Sequence, residues 1–314
     1  MISVAEASWF KDPKLKRIFT VLTADGGDVR VVGGAVRNSL LGEPVADVDL
    51  ATTLLPETVI ALANKAGIKS VPTGLAHGTV TLVLEGKPFE VTTLRRDAAT
   101  DGRHAEVVFS TDWQEDANRR DFTINALYAT VDGDVIDLVG GLADLETRTV
   151  RFIGDASQRI AEDYLRILRY FRFFAFYGSG RPDAEALRAC ARGRAGLKGL
   201  SSERVWAELK KLLSAPDPGR ALLWMRQSGV LNDILPESEK WGIDAIPGLV
   251  ATGAALGWTP DPLLRLAGMV PPDPDRIAAL VARLRLSGVE AKRLEAWAKA
   301  PSLPEKIADT AFDR

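Results

Sequence analysis

Residues 31–52 read VVGGAVRNSLLGEPVADVDLAT, and the rest of the chain takes its meaning from them. Val31 and Val32 form a short apolar run that stops at Gly33-Gly34, the pattern of a strand halted where backbone must come close to another group. Residues 35–41 then carry helical spacing, and Gly42 predicts the helix end. Residues 46–51 alternate, with Asp47 and Asp49 on one face and Val48 and Leu50 on the other. Strand side chains repeat every second residue, so both carboxylates face one way while their neighbours meet a core. Such a pair beside a glycine turn suits a divalent cation and a phosphate. It equally suits a solvated acidic edge strand, and a D-x-D triplet alone does not separate the two. The upstream glycines and Arg37 favour the first.

With 314 residues the chain is long enough for two or more domains and a sizeable core. A net charge of −2 argues against binding nucleic acid by bulk charge, though not against local basic surfaces. Arginine and lysine concentrate in residues 151–226, while the first half carries many aspartates. That asymmetry predicts an acidic metal-binding part followed by a basic anion-binding part. Cys190 is the single cysteine, so no internal disulfide is possible and a reducing cytoplasm is the expected location. Residues 1–30 show scattered charge without an apolar block, and no run reaches the length of a membrane span. Neither a secretory leader nor a membrane location is therefore expected, and nothing calls for an obligate protein partner.

Along the chain, a helix is expected over residues 5–22, a helix over 56–66 starting on Pro56, and strands over 78–84 and 89–94 around a turn at 85–88. Residues 95–105, RRDAATDGRHA, are polar and aperiodic and predict a mobile loop. A helix over 112–120 and a strand pair over 123–131 and 135–138 complete the first part. From Gln158 onward apolar residues recur at three- and four-residue spacing and strand signals vanish. Helices are predicted over 158–177, 183–191, 202–213, 218–228, 261–270, 274–286 and 289–300. The fold class is thus α+β, an α/β head of about 140 residues followed by an all-α remainder.

Three further stretches carry chemistry. Glu90 lies on the strand FEVTTL, where it is either a third carboxylate for an acidic cluster or a surface residue. The segment 116–127, DANRRDFTINAL, offers Arg119 and Arg120, whose forked donors suit triphosphate oxygens, and Asp121 or Asn125 to accept from a ribose hydroxyl. It also fits a charge-capped helix with Phe122 and Ile124 in the core. Within residues 159–177, Asp163 and Arg166 fall one helical turn apart, and Arg169 and Arg172 continue that row beside an aromatic core face. A lone pair of this kind reads as an ordinary ion pair; the row of arginines fits an anion or nucleotide.

Taken together, GGAVR, DVD, RRDFTINA and EDYLRILR resemble the bacterial class II tRNA nucleotidyltransferases, a family that shares its signature with bacterial poly(A) polymerases. The four motifs occur in order and the likeness covers about residues 29–213. The resemblance implies a polymerase-β-type nucleotidyltransferase head with a mixed sheet at 1–145, a helical neck at 146–215 and a helical body and tail at 216–314. It implies that Asp47 and Asp49 bind metal, Mg²⁺ or alternatively Mn²⁺; Glu90, the candidate third carboxylate read from its strand, is placed with them in catalysis. Gly33, Gly34 and Arg37 fall at the phosphates, and Arg119, Arg120, Asp121 and Asn125 at the triphosphate and ribose. Asp163 and Arg166 match the pair that reads the incoming base, with Arg169 and Arg172 nearby. Residues 95–105 fall where the family has a loop used in switching from C to A addition, and residues 200–213 resemble a neck helix behind the base pocket.

The implied activity is addition of CCA to the 3′ end of tRNA from CTP and ATP. The alternatives are a poly(A) polymerase, a partial enzyme adding CC or A, and a non-catalytic RNA-binding protein. Base choice has its own physics: an ionised aspartate only accepts, so it favours the exocyclic amino group of cytosine or adenine, while an arginine donates to cytosine N3 or adenine N1. One departure stands out. The family usually has Asp after the arginine of GGxVR, and here Asn38 occupies that place.

Overall fold

The computed structural model describes residues 2–97, 107–239 and 242–300. It contains two compact units, Met1–Ala156 and Ser157–Arg314.

Among the described residues the first unit is built on nine strands: β1 (Val29–Val32), β2 (Asp49–Thr52), β3 (Lys69–Gly74), β4 (Thr79–Leu84), β5 (Lys87–Thr93), β6 (Arg95–Asp97), β7 (Val107–Phe109), β8 (Leu127–Ala129) and β9 (Val135–Asp137). Seven of them form a mixed sheet in the order β3-β4-β5-β2-β1-β8-β9, and β6 and β7 pair separately. β2 and β5 run parallel, which sets Leu50 against Val91. β1 lies antiparallel to both β2 and β8. The sheet rests on helices α1 (Pro13–Thr23), α2 (Gly34–Leu41), α3 (Pro56–Lys65), α4 (Trp113–Asn118) and α5 (Gly141–Glu146). Val29, Val31, Leu50, Leu82, Phe89 and Tyr128 fill its core, each contributing about 1.5–3 kcal/mol by burial.

Expected boundaries shift where caps outrank periodicity. The first helix begins at Pro13 rather than residue 5, because Asp12 accepts the Lys14 amide at 2.8 Å and proline suits the first helical position. Residues 123–125 wind as a 3₁₀ turn before β8, so the strand expected from 123 starts at Leu127. Of the expected loop 95–105, Arg95–Asp97 is strand, with the Arg95 guanidinium donating to the His77 carbonyl at 2.6 Å. The remainder of that loop lies outside the described residues.

The second unit is helical: α6 (Ala156–Glu162), α7 (Leu165–Tyr177), α8 (Ala184–Gly193), α9 (Ser202–Leu213), α10 (Gly219–Gln227), α11 (Val230–Ile234), α12 (Ala245–Ala255), α13 (Pro262–Ala267), α14 (Pro274–Leu284) and α15 (Gly288–Lys299). The single helix expected over 158–177 is in fact two. Asp163 turns its carboxylate back to cap the Leu165 amide at 3.0 Å, and this local bond competes with continuation of the helix. α12 had no expectation at all.

Candidate active site

Asp47 lies two residues before β2 and Asp49 opens it; both are exposed, while the alternating Val48 and Leu50 are buried. Register places Asp49 opposite Val32, the last residue before Gly33. The parallel pairing of Leu50 with Val91 brings Glu90 alongside Asp49 on the same exposed face. Asp49 reaches solvent yet is flanked by protein, so its carboxyl is pushed above the usual range by burial, then by the negative charges of Glu90 and Asp47. Arg120 pulls the other way.

A divalent cation is the group this arrangement suits. The donors are hard carboxylate oxygens, and the excess negative charge around Asp49 would be relieved by one. Among the described residues no three His, Cys, Asp or Glu form a group placed to hold a metal ion; Glu90 adds its negative charge to that around Asp49.

Gly33 supplies the turn. Its φ of 72° lies in the left-handed region, where a side chain is strained, and it leads directly into α2. One turn on, Arg37 is buried and its side chain bridges two asparagines. It donates from Nη1 to the Asn125 Oδ1, and from Nε and Nη2 to the Asn38 Oδ1 at 3.1 and 2.9 Å. Asn125 donates in turn to Asp121 at 2.9 Å. Asn125 is thus a buried link between Arg37 and Asp121.

Arg119 and Arg120 flank one buried carboxylate. Arg119 Nε donates to Asp116 Oδ1 at 2.8 Å with its Nη2 at 2.6 Å, and Arg120 Nε and Nη2 donate to Oδ2 at 3.1 and 2.9 Å. The Tyr128 hydroxyl donates to Oδ2 at 2.8 Å. Burial would raise the Asp116 carboxyl, but Arg120, Arg119 and the tyrosine outweigh it and hold the group below its usual value.

In the helical unit the charges pair differently from expectation. Asp163 stands before α7, and its Oδ2 accepts from Arg204 of α9 at 2.7 Å. Arg166 donates to the Arg159 carbonyl at 2.6 Å and to Glu162. The two side chains therefore do not form the ordinary ion pair that was the alternative reading, and the residues share a turn through the Arg166 amide and Asp163 carbonyl, 3.0 Å apart. Arg172 Nε donates to buried Glu208 at 2.6 Å, Arg169 lies 4.0 Å from the same carboxylate, and both sit over the Phe173 ring.

Comparison with known proteins gives these sites a family. A family model described as the poly A polymerase head domain matches residues 29–151, and one described as a probable RNA and SrmB-binding site of polymerase A matches residues 182–241. The crystal structure of the Bacillus stearothermophilus CCA-adding enzyme in complex with CTP is 32% identical, with a TM-score of 0.69 over 96% of this chain and 68% of that one. The chain belongs to the tRNA nucleotidyltransferase and poly(A) polymerase family. Among curated members, the mitochondrial CCA tRNA nucleotidyltransferase 1 of Mus musculus is 41% identical over 283 residues, 88% of this chain and 63% of the relative. The CCA-adding enzyme of Geobacillus stearothermophilus is 40% identical over 222 residues, 70% of this chain and 53% of the relative. The chain therefore spans between about half and two thirds of these relatives' length.

Against the family signature, Asn38 now has an account. Its Oδ1 accepts from Arg37 while its Nδ2 donates to the Pro44 carbonyl at 2.8 Å. An aspartate would strengthen the first bond and could not make the second. The sequence reading passed over Asp116, Glu208 and Arg204, the partners that hold the arginines and Asp163. Spacing offered a signal for Asp116, three and four residues before its arginines; Glu208 and Arg204 reach α7 only through the fold.

Proposed function

We propose that this protein is a CTP/ATP:tRNA nucleotidyltransferase that builds or repairs the 3′-terminal CCA. The observation that carries this reading is the Asp47–Asp49 pair, crowded by the charge of Glu90, beside the Gly33 turn. The 3′-hydroxyl of the RNA attacks the α-phosphate of CTP or ATP in line, and pyrophosphate leaves. Asp47 and Asp49 would hold Mg²⁺, or Mn²⁺ in its place, which when bound supplies Lewis acidity for the attacking and leaving oxygens. Gly33 and Gly34 let backbone approach the phosphates, Arg37 fixes that turn, and Arg119 and Arg120 bind the triphosphate through their guanidinium forks. Asp121 accepts from the ribose.

Selection of the base falls to Asp163 and Arg166, with Arg169 and Arg172 adding positive charge. Uracil or guanine would set a carbonyl against Asp163, leaving partners unsatisfied at a cost of about 1–3 kcal/mol per group. Transfer belongs to residues 1–145 in this reading, base choice to 146–215, and grip on tRNA to the basic surface of the neck and to residues 216–314. Binding to RNA phosphates should weaken as salt rises. Among the described residues no helix is long and apolar enough to cross a membrane, and Cys190 is buried. A reducing compartment such as the cytoplasm fits the reading.

The head model's description keeps a second reading, poly(A) synthesis, in view. Incubating tRNA lacking its 3′ end with labelled CTP and ATP separates them. Addition of C, C and A that stops, and that disappears in Asp49→Ala, supports CCA addition. Long A tails support the polymerase, and absence of metal-dependent incorporation by the wild type refutes both.

A further inference from the structure

Two arginines expected to meet a triphosphate share one aspartate, and that aspartate has no access to solvent. Each oxygen of Asp116 takes the Nε/Nη2 edge of a different guanidinium, Oδ1 that of Arg119 and Oδ2 that of Arg120. A planar guanidinium held by that edge has its remaining donors set in direction as well. The carboxylate itself is fixed from behind: the Tyr128 hydroxyl donates to Oδ2 at 2.8 Å and accepts from Arg120 Nε at 3.2 Å. Burial pushes that hydroxyl up, so it stays protonated and remains a donor. Trp113 packs edge-on against the Tyr128 ring with centroids 5.2 Å apart, and its indole N–H donates to Asp28 at the foot of β1, 2.8 Å away.

We propose that Asp116 and Tyr128 are positioning residues that aim Arg119 and Arg120 at the nucleotide's triphosphate, so that the enzyme's discrimination by phosphate number is set by a buried carboxylate that touches no substrate. The proposal rests on the nucleotidyltransferase reading above, in that it names the triphosphate as the group the arginines receive. It also explains why a carboxylate is placed among phosphate-binding cations, where it lowers the local positive charge. Without Asp116 two adjacent guanidiniums would repel, and each would have to be ordered by the substrate itself at an entropic cost.

The test uses the full-length protein carrying Asp116→Asn or Tyr128→Phe. Inhibition of CMP incorporation by CTP analogues, CDP, CMP and cytidine is compared with that of the wild type, with Tm recorded for each variant. Asp116→Asn is expected to weaken triphosphate binding about 10- to 100-fold, the worth of charge-assisted hydrogen bonds. Cytidine binding should change by less than about twofold, because it makes no phosphate contact. Tyr128→Phe, which keeps the ring on Trp113, should show the same ordering at smaller amplitude. An equal loss across triphosphate, monophosphate and nucleoside would overturn the proposal, since a merely structural role predicts that. Should Asp116→Asn fail to fold, Tyr128→Phe decides alone by the same criterion. A wild type that incorporates no nucleotide refutes the underlying reading, whereas an active wild type with flat phosphate dependence in the variants refutes this inference only.

Discussion

Around Asp49 the charges of Glu90 and Asp47 are of its own sign, whereas Asp163 meets Arg204, Arg166 meets Glu162, and Arg172 meets Glu208. Both regions concentrate charge and both match the family's site motifs, yet they balance it in opposite ways. The surroundings of Asp49 hold carboxylates together against repulsion, an arrangement that a divalent cation would relieve. The helical unit cancels charge internally, which fixes its side chains before anything binds. In the proposed reading the first region receives an ion and the second presents groups of set direction.

That contrast can be broken by removing one carboxylate from each side. Glu208→Gln takes the partner from Arg172 and Arg169 in a nearly dry environment, so we expect about 2–4 kcal/mol lost from the stability of the helical unit, read by urea unfolding. Unchanged stability would show that the pairing in this unit is incidental.

Glu290, at the start of α15, repeats the pattern of the paired side. Burial would raise its carboxyl, but Lys210, Ser287 and Trp206 lower it to about 2. Since the folded value lies below the unfolded one, its contribution is present above pH ~4.5 and disappears as pH falls towards ~2. Glu290→Gln should cost about 1–2 kcal/mol at neutral pH after allowance for solvent screening, and nothing near pH 2. A difference from wild type that persists undiminished in acid would contradict the assignment.

The smallest effect carries the opposite sign. In metal-free protein Asp49→Asn removes like-charge repulsion and should raise Tm by about 1–3 °C. The gain should shrink as pH falls, because the wild-type carboxyl, whose folded value is raised, then protonates and the repulsion ends. Added Mg²⁺ should raise Tm for the wild type and leave Asp49→Asn unmoved. A loss of Tm in the metal-free variant would mean that Asp49 is a structural residue.

The head's site was legible because it is local. Gly33-Gly34 and the alternation from Asp47 to Leu50 are written within a few residues, and a period of two says which groups share a face. α9 was legible end to end, since Ser202–Leu213 combines a serine start with clean helical spacing. The break at Asp163 was hidden by apolar spacing that runs unbroken across it, and only the bond to the Leu165 amide reveals it. α12 reads AIPGLVATGAA, with Pro247, Gly248, Thr252 and Gly253 as poor helix formers and no charge to mark a face. Its helical state is a tertiary result. The roles of Glu208 and Arg204 were out of reach for the same reason, as both lie more than thirty residues from the groups they hold.

We propose that the head performs the transfer while the turn at Asp163 chooses the base. Single-turnover incorporation of CTP, ATP, UTP and GTP into tRNA lacking its 3′ end measures both at once. Asp49→Ala should lower all incorporation by about three orders of magnitude without changing the preference. Asp163→Ala should retain incorporation while the preference for C and A over U and G collapses by about 10- to 100-fold. An Asp163→Ala enzyme that loses activity yet keeps its preference would contradict the division, as would an Asp49→Ala enzyme that remains active.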